Sequence, residues 1–101
     1  MTALGVTIQS VLVRDKELPA ADIDGRAVVL NLGAGSYFDF NRVATEIWHM
    51  VSKPCRVEKI FELLSEKHDV DTETLIRDVT PFLQTLIDYR LVRMIDPGET
   101  R

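Results

Sequence analysis

The chain has 101 residues, of which 46% are hydrophobic, so it is long enough for one hydrophobic core and too short for two domains of typical size. Its 12 basic and 16 acidic side chains give a formal charge of −4, which disfavours nucleic acid as a partner because phosphate binding needs clustered lysine and arginine. We therefore expect one domain over residues 1–101, with a core at about 6–95 and a polar C-terminal tail.

Cysteine usage and hydropathy predict the compartment. Cys55 is the single cysteine, so no intramolecular disulfide can form, which is typical of a reducing compartment. No segment approaches the roughly 20 apolar residues that span a bilayer, and the first residues lack the basic start and apolar block of a secretion signal. We expect a cytoplasmic protein without a membrane partner.

The first 40 residues are predicted to form strands. Alternation of apolar and polar residues over 6–14 predicts a first strand with one solvated face. Turn-forming aspartates and a glycine predict a loop over 19–26. The nearly continuous apolar run 27–32 predicts a central strand, and the glycines in 33–35 predict a short hairpin into a third strand over 36–40. Three antiparallel strands result, and the third is a candidate for an open edge of the sheet.

Helical periodicity begins at Asn41, which is placed to cap a first helix. Pro54 ends this helix, because proline cannot donate the next hydrogen bond. A second amphipathic helix runs from Val57 to about His68.

Asp71 or Thr72 can cap a third helix, whose apolar residues keep the same spacing. Pro81 inside it predicts a kink or break near residues 79–80. The run 91–95 predicts a short final strand. The elements together predict an α+β fold of the winged helix-turn-helix type, with an N-terminal three-stranded antiparallel sheet packed on three helices.

The third strand raises the question of function, because an edge strand is either protected or used to bind another extended chain. The period of two places Tyr37 and Asp39 on one face of this strand and Phe38 and Phe40 on the other. We expect Phe40 to lie in the core, and we expect Trp48 to anchor the first helix beneath the sheet.

Order and spacing over almost the whole chain, from about Val11 to Val92, resemble the small PqqD-like proteins, the stand-alone recognition elements that bind leader peptides in ribosomal peptide pathways. Two positions depart from the family pattern: Arg90 stands where a glycine usually precedes the final Leu-Val pair, and Pro81 interrupts the third helix. The residues that carry the resemblance are Asp24-Gly25, Asn31-Leu32 to Gly35, Tyr37-Phe38, Phe40-Asn41, Ile47-Trp48, Val57 to Leu64, Val70-Asp71, Asp78-Val79, Phe82-Leu83 and Leu86 to Leu91-Val92.

The pair Ile47-Trp48 and the aromatic third strand are most similar to members from lasso-peptide biosynthesis. The resemblance implies that a leader peptide adds a strand beside residues 36–40, with the third helix as the other wall of a groove. It also implies a protein without catalytic residues, which delivers the precursor to a separate leader peptidase and, in lasso clusters, to a macrocyclase. We expect no metal and no cofactor. The candidate peptide-binding residues are Ser36, Tyr37, Phe38, Asp39, Phe40, Leu75, Ile76, Arg77, Asp78, Val79 and Phe82.

The sequence leaves three other functions open. One is a peptide chaperone of the pyrroloquinoline-quinone type, from the same family, that serves a radical enzyme. Another is a purely structural subunit of an enzyme complex, which would show no affinity for a free peptide. A winged-helix DNA-binding regulator would read DNA with the third helix, whose acidic residues make an unfavourable face for phosphates.

Catalysis is not expected from the residues themselves. His49, Cys55 and His68 match no zinc spacing, and no carboxylate pair can be assigned as acid and base. The oligomeric state is expected to be a monomer or a weak dimer, because an open edge invites strand exchange.

Overall fold

The computed structural model describes residues 5–31 and 35–95. Within these ranges the chain forms strands and helices in the order β1 (Val11–Arg14), β2 (Ala20–Ile23), β3 (Arg26–Asn31), β4 (Ser36–Asp39), α1 (Arg42–Met50), β5 (Cys55–Arg56), α2 (Val57–His68), α3 (Thr72–Asp88) and β6 (Val92–Ile95). The centre of the predicted turn at 33–35 and the predicted polar tail lie outside the described residues.

Two small antiparallel sheets carry the strands, one in the order β2-β3-β4 and one in the order β5-β1-β6. The predicted α+β fold with three helices is confirmed, as are the central position of β3 and the final strand β6. The predicted set of strands in the N-terminal sheet is wrong. Strand β1 pairs with β5 and β6, and the strand that pairs with β3 on this side is β2.

The predicted loop over 19–26 is also wrong, since it contains strand β2. Its turn-forming residues serve only the tip of a tight hairpin, where Ile23 pairs with Arg26 across two residues. Those two residues, Asp24 and Gly25, have φ angles of 56° and 80°. Positive φ at both central positions is what a type I′ hairpin requires, and Asp-Gly is a preferred pair there. The turn-forming residues that predicted a loop therefore mark a two-residue turn between β2 and β3.

Side chains cap the first and third helices as predicted. The carboxamide oxygen of Asn41 accepts a hydrogen bond from the Ala44 N–H at 2.8 Å at the start of α1. At the start of α3 the Asp71 carboxylate accepts one from the Thr74 N–H at 3.0 Å, and the bonds from Thr74 hold the pKa of Asp71 below its ordinary value. These caps satisfy backbone donors that the first helical turn leaves unpaired.

Helix α3 runs without interruption from Thr72 to Asp88, so of the predicted kink or break near residues 79–80 the break is excluded. Proline inside a helix costs about 3 kcal/mol. Val79 and Leu83 lie on either side of Pro81 and are both buried, and burying each such side chain contributes about 1.5–3 kcal/mol. Packing of the apolar face thus offsets the lost hydrogen bond, while Pro81 itself lies on an exposed face.

One core cluster joins both sheets and all three helices. Trp48 is only 2% exposed, as predicted for an anchor of α1. The guanidinium of Arg14 lies 5.0 Å from the centre of the Trp48 ring and donates to the Trp48 carbonyl at 3.2 Å. Strand β1 is thereby fastened to α1, and with it the second sheet to the helices.

A buried threonine ties the β3–β4 hairpin to α1. The Thr45 hydroxyl accepts from the Ala27 N–H at 2.9 Å and donates to the Phe40 carbonyl at 3.4 Å. The side chain is only 4% exposed, so these bonds form away from water. The start of β3 and the end of β4 are therefore held to the same point on α1.

Thr45→Val tests this bond, because valine keeps the shape and leaves the buried Ala27 N–H without an acceptor. We expect a loss of about 1–3 kcal/mol in the free energy of unfolding, measured by urea titration. Thr85→Val is the matched control, since the Thr85 hydroxyl bonds only to the exposed Pro81 carbonyl of its own helix. An equal loss from both substitutions would contradict the assignment.

Glu46 links α1 to the end of α2. Its carboxylate oxygens lie 3.0 Å from His68 Nε2 and 3.1 Å from Lys67 Nζ. Burial raises the pKa of Glu46, but the hydrogen bonds and charges of His68 and Lys67 lower it, and the net direction is downward. The ionised form is therefore favoured by folding.

Because this pKa is lower in the folded chain than its ordinary value of 4.5, the stabilisation is present above that pH and disappears as pH falls through the folded value. We expect Glu46→Gln to lower the free energy of unfolding by about 0.5–1 kcal/mol near neutral pH. The difference from the wild type should shrink as the pH falls through the folded pKa of Glu46, because the carboxylate is then protonated. Urea titrations at neutral pH and at a series of acid pH values measure it, and a difference that persists undiminished throughout the acid series would show that the ionised carboxylate is not the cause.

Candidate functional site

Strand β4 lies at one end of its sheet, where it pairs with β3 on one side only. Over residues 5–31 and 35–95 no strand covers its other side. An open strand edge presents backbone donors and acceptors at the spacing of a ladder. This edge is the structural basis of the candidate site.

The hydrogen-bond parity identifies which backbone groups of β4 face outward. The Phe40 N–H donates to the Ala27 carbonyl at 2.9 Å, so Phe40 and every second residue before it point their backbone groups toward β3. The Leu30 N–H donates to the Pro19 carbonyl at 2.9 Å, which assigns the alternate residues of β3 to β2 and agrees with this parity. The N–H and C=O groups of Tyr37 and Asp39 therefore point to the open side and can accommodate up to four ladder bonds.

Side chains alternate along β4 as the sequence predicted. Phe40 is 4% exposed and belongs to the core, and Phe38 is half-buried on the same face. Tyr37 is 61% exposed on the outer face, across from Leu30 of β3. Asp39 shares that outer face and lies 3.2 Å from the Arg26 guanidinium.

Aromatic rings join β4 to α3. The ring centre of Phe38 lies 5.3 Å from that of Tyr89, and the ring centre of Phe40 lies 5.5 Å from that of Phe82, both in edge-to-face geometry. These rings fill the space between β4 and α3, and we call the strip of surface over Phe38, Phe82 and Tyr89, beside the open edge, the furrow. Tyr89 is 54% exposed, so one wall of the furrow is an accessible aromatic surface.

The α3 face toward β4 follows from these two contacts. Residues three, four and seven apart share a helix face, and Phe82 and Tyr89 are seven apart. The stripe through them also contains Thr85, Asp78 and Leu75, and the buried residues Val79 and Leu86 border it on the core side.

The predicted groove residues divide accordingly. The structure brings Phe40, the last residue of the predicted strand 36–40, into ring contact with Phe82. Asp78 is exposed, while Leu75 and Val79 are buried in the core. Ile76 and Arg77 lie off the stripe, on other faces of the helix. Whether any of these residues binds a peptide stays a prediction.

Sequence reasoning missed Tyr89, which the structure places at the end of the furrow. It lies at the C-cap of α3, and only its spacing of seven from Phe82 could have indicated it. The next residue, Arg90, adopts φ of 63°, where a left-handed residue ends the helix. The Arg90 N–H bonds to the Ile87 carbonyl and the Leu91 N–H to the Leu86 carbonyl, which is the Schellman pattern. Arginine thus takes the conformation for which glycine is usual.

Other reactive side chains lie apart from the furrow. Burial raises the pKa of the Cys55 thiol, with Lys59 opposing, and so disfavours the nucleophilic thiolate. His49 approaches Asp22 at 3.5 Å, and His68 bonds to Glu46. In the part of the chain that the structure describes, no group of three or more His, Cys, Asp or Glu residues could hold a metal ion, and no helix is long and apolar enough to cross a membrane.

The fold and the open aromatic edge define a small α+β domain of the winged-helix type. A family model described as coenzyme PQQ synthesis protein D (PqqD) matches residues 26–92, and the chain belongs to this family, as predicted. The solved structure of TbiB1 in complex with the TbiA(beta) leader peptide is similar to this chain, with a TM-score of 0.71 and 30% sequence identity. The match covers 79% of this chain and 93% of that one. A comparison with curated proteins finds no match.

Tyr89→Ala tests the ring contact between β4 and the end of α3. Edge-to-face pairs contribute about 0.5–1.5 kcal/mol beyond buried area, so we expect a loss of at least that size in the free energy of unfolding. Tyr37→Ala is the matched control, because Tyr37 is similarly exposed and has no ring partner among the described residues. Urea titration of both variants measures the difference, and equal losses would mean that the Phe38–Tyr89 contact does not hold the two elements together.

Proposed function

We propose that this chain binds the leader segment of a ribosomally made precursor peptide by strand addition at β4, beside α3. The observation that carries the proposal is the outward orientation of the Tyr37 and Asp39 backbone groups next to an aromatic furrow. Membership of the PqqD family and the likeness to TbiB1, whose structure contains a leader peptide, support it.

The affinity for a bound peptide must come from its side chains as well as from backbone hydrogen bonds to β4. Fixing each residue of an extended peptide costs about 1–2 kcal/mol, whereas each ladder bond returns about 1 kcal/mol because it replaces a bond to water. Four bonds cannot order six residues by themselves. Apolar leader side chains that pack on the rings of Phe38, Phe82 and Tyr89 supply the remainder.

The chain acts in this proposal as a non-catalytic adaptor in the cytoplasm. The furrow offers aromatic rings and backbone polar groups, which suit binding and presentation. The bound precursor is delivered to a leader peptidase, and in a lasso-peptide pathway also to a macrocyclase. The Ile47-Trp48 pair favours this pathway type through its resemblance to lasso-peptide members of the family.

The family model itself favours a second candidate, a peptide chaperone of the pyrroloquinoline-quinone type that serves a radical enzyme. Both candidates use the same furrow and differ in the enzyme that receives the peptide. Co-purification with a leader peptidase supports the first, and co-purification with a radical enzyme supports the second.

Tyr37→Pro tests strand addition without disturbing the sheet. Proline removes the Tyr37 N–H, which points to the open side and makes no bond to β3, so the hairpin should fold normally. Random dodecapeptides displayed on phage are selected on the wild-type chain, and enriched peptides are titrated by fluorescence anisotropy. We expect saturation at micromolar concentration or below, and at least about tenfold weaker binding to Tyr37→Pro, because the blocked amide prevents pairing.

Tyr37→Val is the control, since it changes the same side chain and keeps the amide. Its affinity should stay within about threefold of the wild type. Circular dichroism and a melting curve confirm that Tyr37→Pro is folded. Failure to enrich any peptide, or equal binding to Tyr37→Pro, would reject the proposed function.

A further inference from the structure

A further surface feature lies at the C-terminal end of α3, separate from the furrow. It is a surface cavity of about 700 Å³ between the end of β1, the end of α3 and β6. Four of the 12 basic residues of the chain line it, although the chain as a whole is acidic. We call it the basic cavity, after Arg14, Lys16, Arg90 and Arg93.

None of these four cations enters an ion pair within the described residues, and three of them are exposed. Arg14 is occupied by Trp48, whereas Lys16, Arg90 and Arg93 are exposed and enter none of the ion pairs. Asp15 also lines the cavity, but its carboxylate accepts the Glu17 N–H at 2.9 Å within a tight turn. Glu17 is the remaining acid, so the cavity carries an excess of positive charge.

The backbone conformation of Arg90 is a second unusual feature of the basic cavity. Its φ of 63° is a conformation that glycine adopts without strain and arginine adopts at a conformational cost. The side chain held there lines the cavity beside the apolar Ile87 and Met94. An apolar floor under unpaired cations fits an acidic peptide segment with apolar residues among its carboxylates.

The Arg90 side of the basic cavity lies toward β4. Tyr89, whose ring contacts that of Phe38 in β4, directly precedes Arg90. The turn with Lys16 lies farther from the open edge, since it runs to Pro19, whose carbonyl bonds to Leu30 on the β2 side of β3. A chain that pairs with β4 and continues past Ser36 can therefore reach the cavity from the Arg90 side.

We propose that the basic cavity binds an acidic segment of the same peptide whose neighbouring residues pair with β4. This inference rests on the proposed function and adds the chemistry of the flanking segment. Charge attraction at the cavity also sets the position of the peptide along β4, because a ladder alone permits slippage by two residues.

The test uses a dodecapeptide selected on the wild-type chain whose binding Tyr37→Pro abolishes. Four glutamates or four glutamines are added through a Gly-Ser linker at either terminus, and each peptide is titrated by fluorescence anisotropy at low salt. We expect the glutamate tail to bind about five- to tenfold tighter than the glutamine tail at one terminus only, as two or three exposed charge pairs allow. The responsive terminus also reports whether the peptide runs parallel or antiparallel to β4.

Lys16→Gln combined with Arg93→Gln should reduce this gain to about twofold or less, since two of the unpaired cations are gone. The matched control is Lys53→Gln combined with Lys59→Gln, which removes the same charge from exposed positions outside the cavity and should leave the gain intact. The gain should also disappear at about 1 M salt, where the screening length is about 3 Å.

The outcomes separate the two proposals. If the untailed peptide binds in a Tyr37→Pro-sensitive manner and both tails behave alike at both termini, the basic cavity is rejected and strand addition stands. A gain that survives Lys16→Gln with Arg93→Gln likewise rejects the cavity. If no peptide binds β4, both proposals fail together.

Discussion

The junction at Phe40 is the constraint on which the rest of the structure depends. Its N–H closes the ladder with Ala27, and its carbonyl accepts from the Thr45 hydroxyl and from Arg26 Nε. Its ring lies between Trp48 at 5.7 Å and Phe82 at 5.5 Å. One residue therefore joins the end of β4 to β3, to α1 and to α3, and the open edge is rigid because its last residue is buried and bonded on every side.

Rigidity at that junction explains how an exposed edge can serve recognition. A strand held by its own ladder and by a buried aromatic anchor presents the Tyr37 and Asp39 backbone groups in fixed positions, so a guest peptide alone pays the ordering cost. The other edge of the same sheet differs. Strand β2 carries Asp22 near its hairpin end, and a charged residue at an edge protects it from pairing.

Much of the fold could be predicted because it depends on local signals. Helix caps at Asn41 and Asp71, the apolar stripes of the helices and the alternation along β4 are all encoded within a few neighbouring residues. The pairing of β1 could not be predicted in this way, since its partners lie more than 40 residues further along the chain. Strand β2 was missed because the Asp24-Gly25 turn signal was extended over the residues around it.

The candidate site was predictable in part for the same reason. The strand residues follow from the period of two, whereas the helix wall depends on how α3 is rotated against the sheet, which only the ring contacts of Phe82 and Tyr89 reveal. Pro81 shows the limit of local rules, since burial of Val79 and Leu83 outweighs the helix-breaking tendency of proline.

Backbone hydrogen exchange measured by NMR, with and without a peptide selected on the wild-type chain, tests the central claim most directly. Strand addition at β4 predicts new protection at the Tyr37 and Asp39 amides, with Phe38 and Phe40 unchanged because their amides already face β3. Protection that appears instead at Ala20 and Asp22, on the open side of β2, or at neither edge, would contradict strand addition at β4.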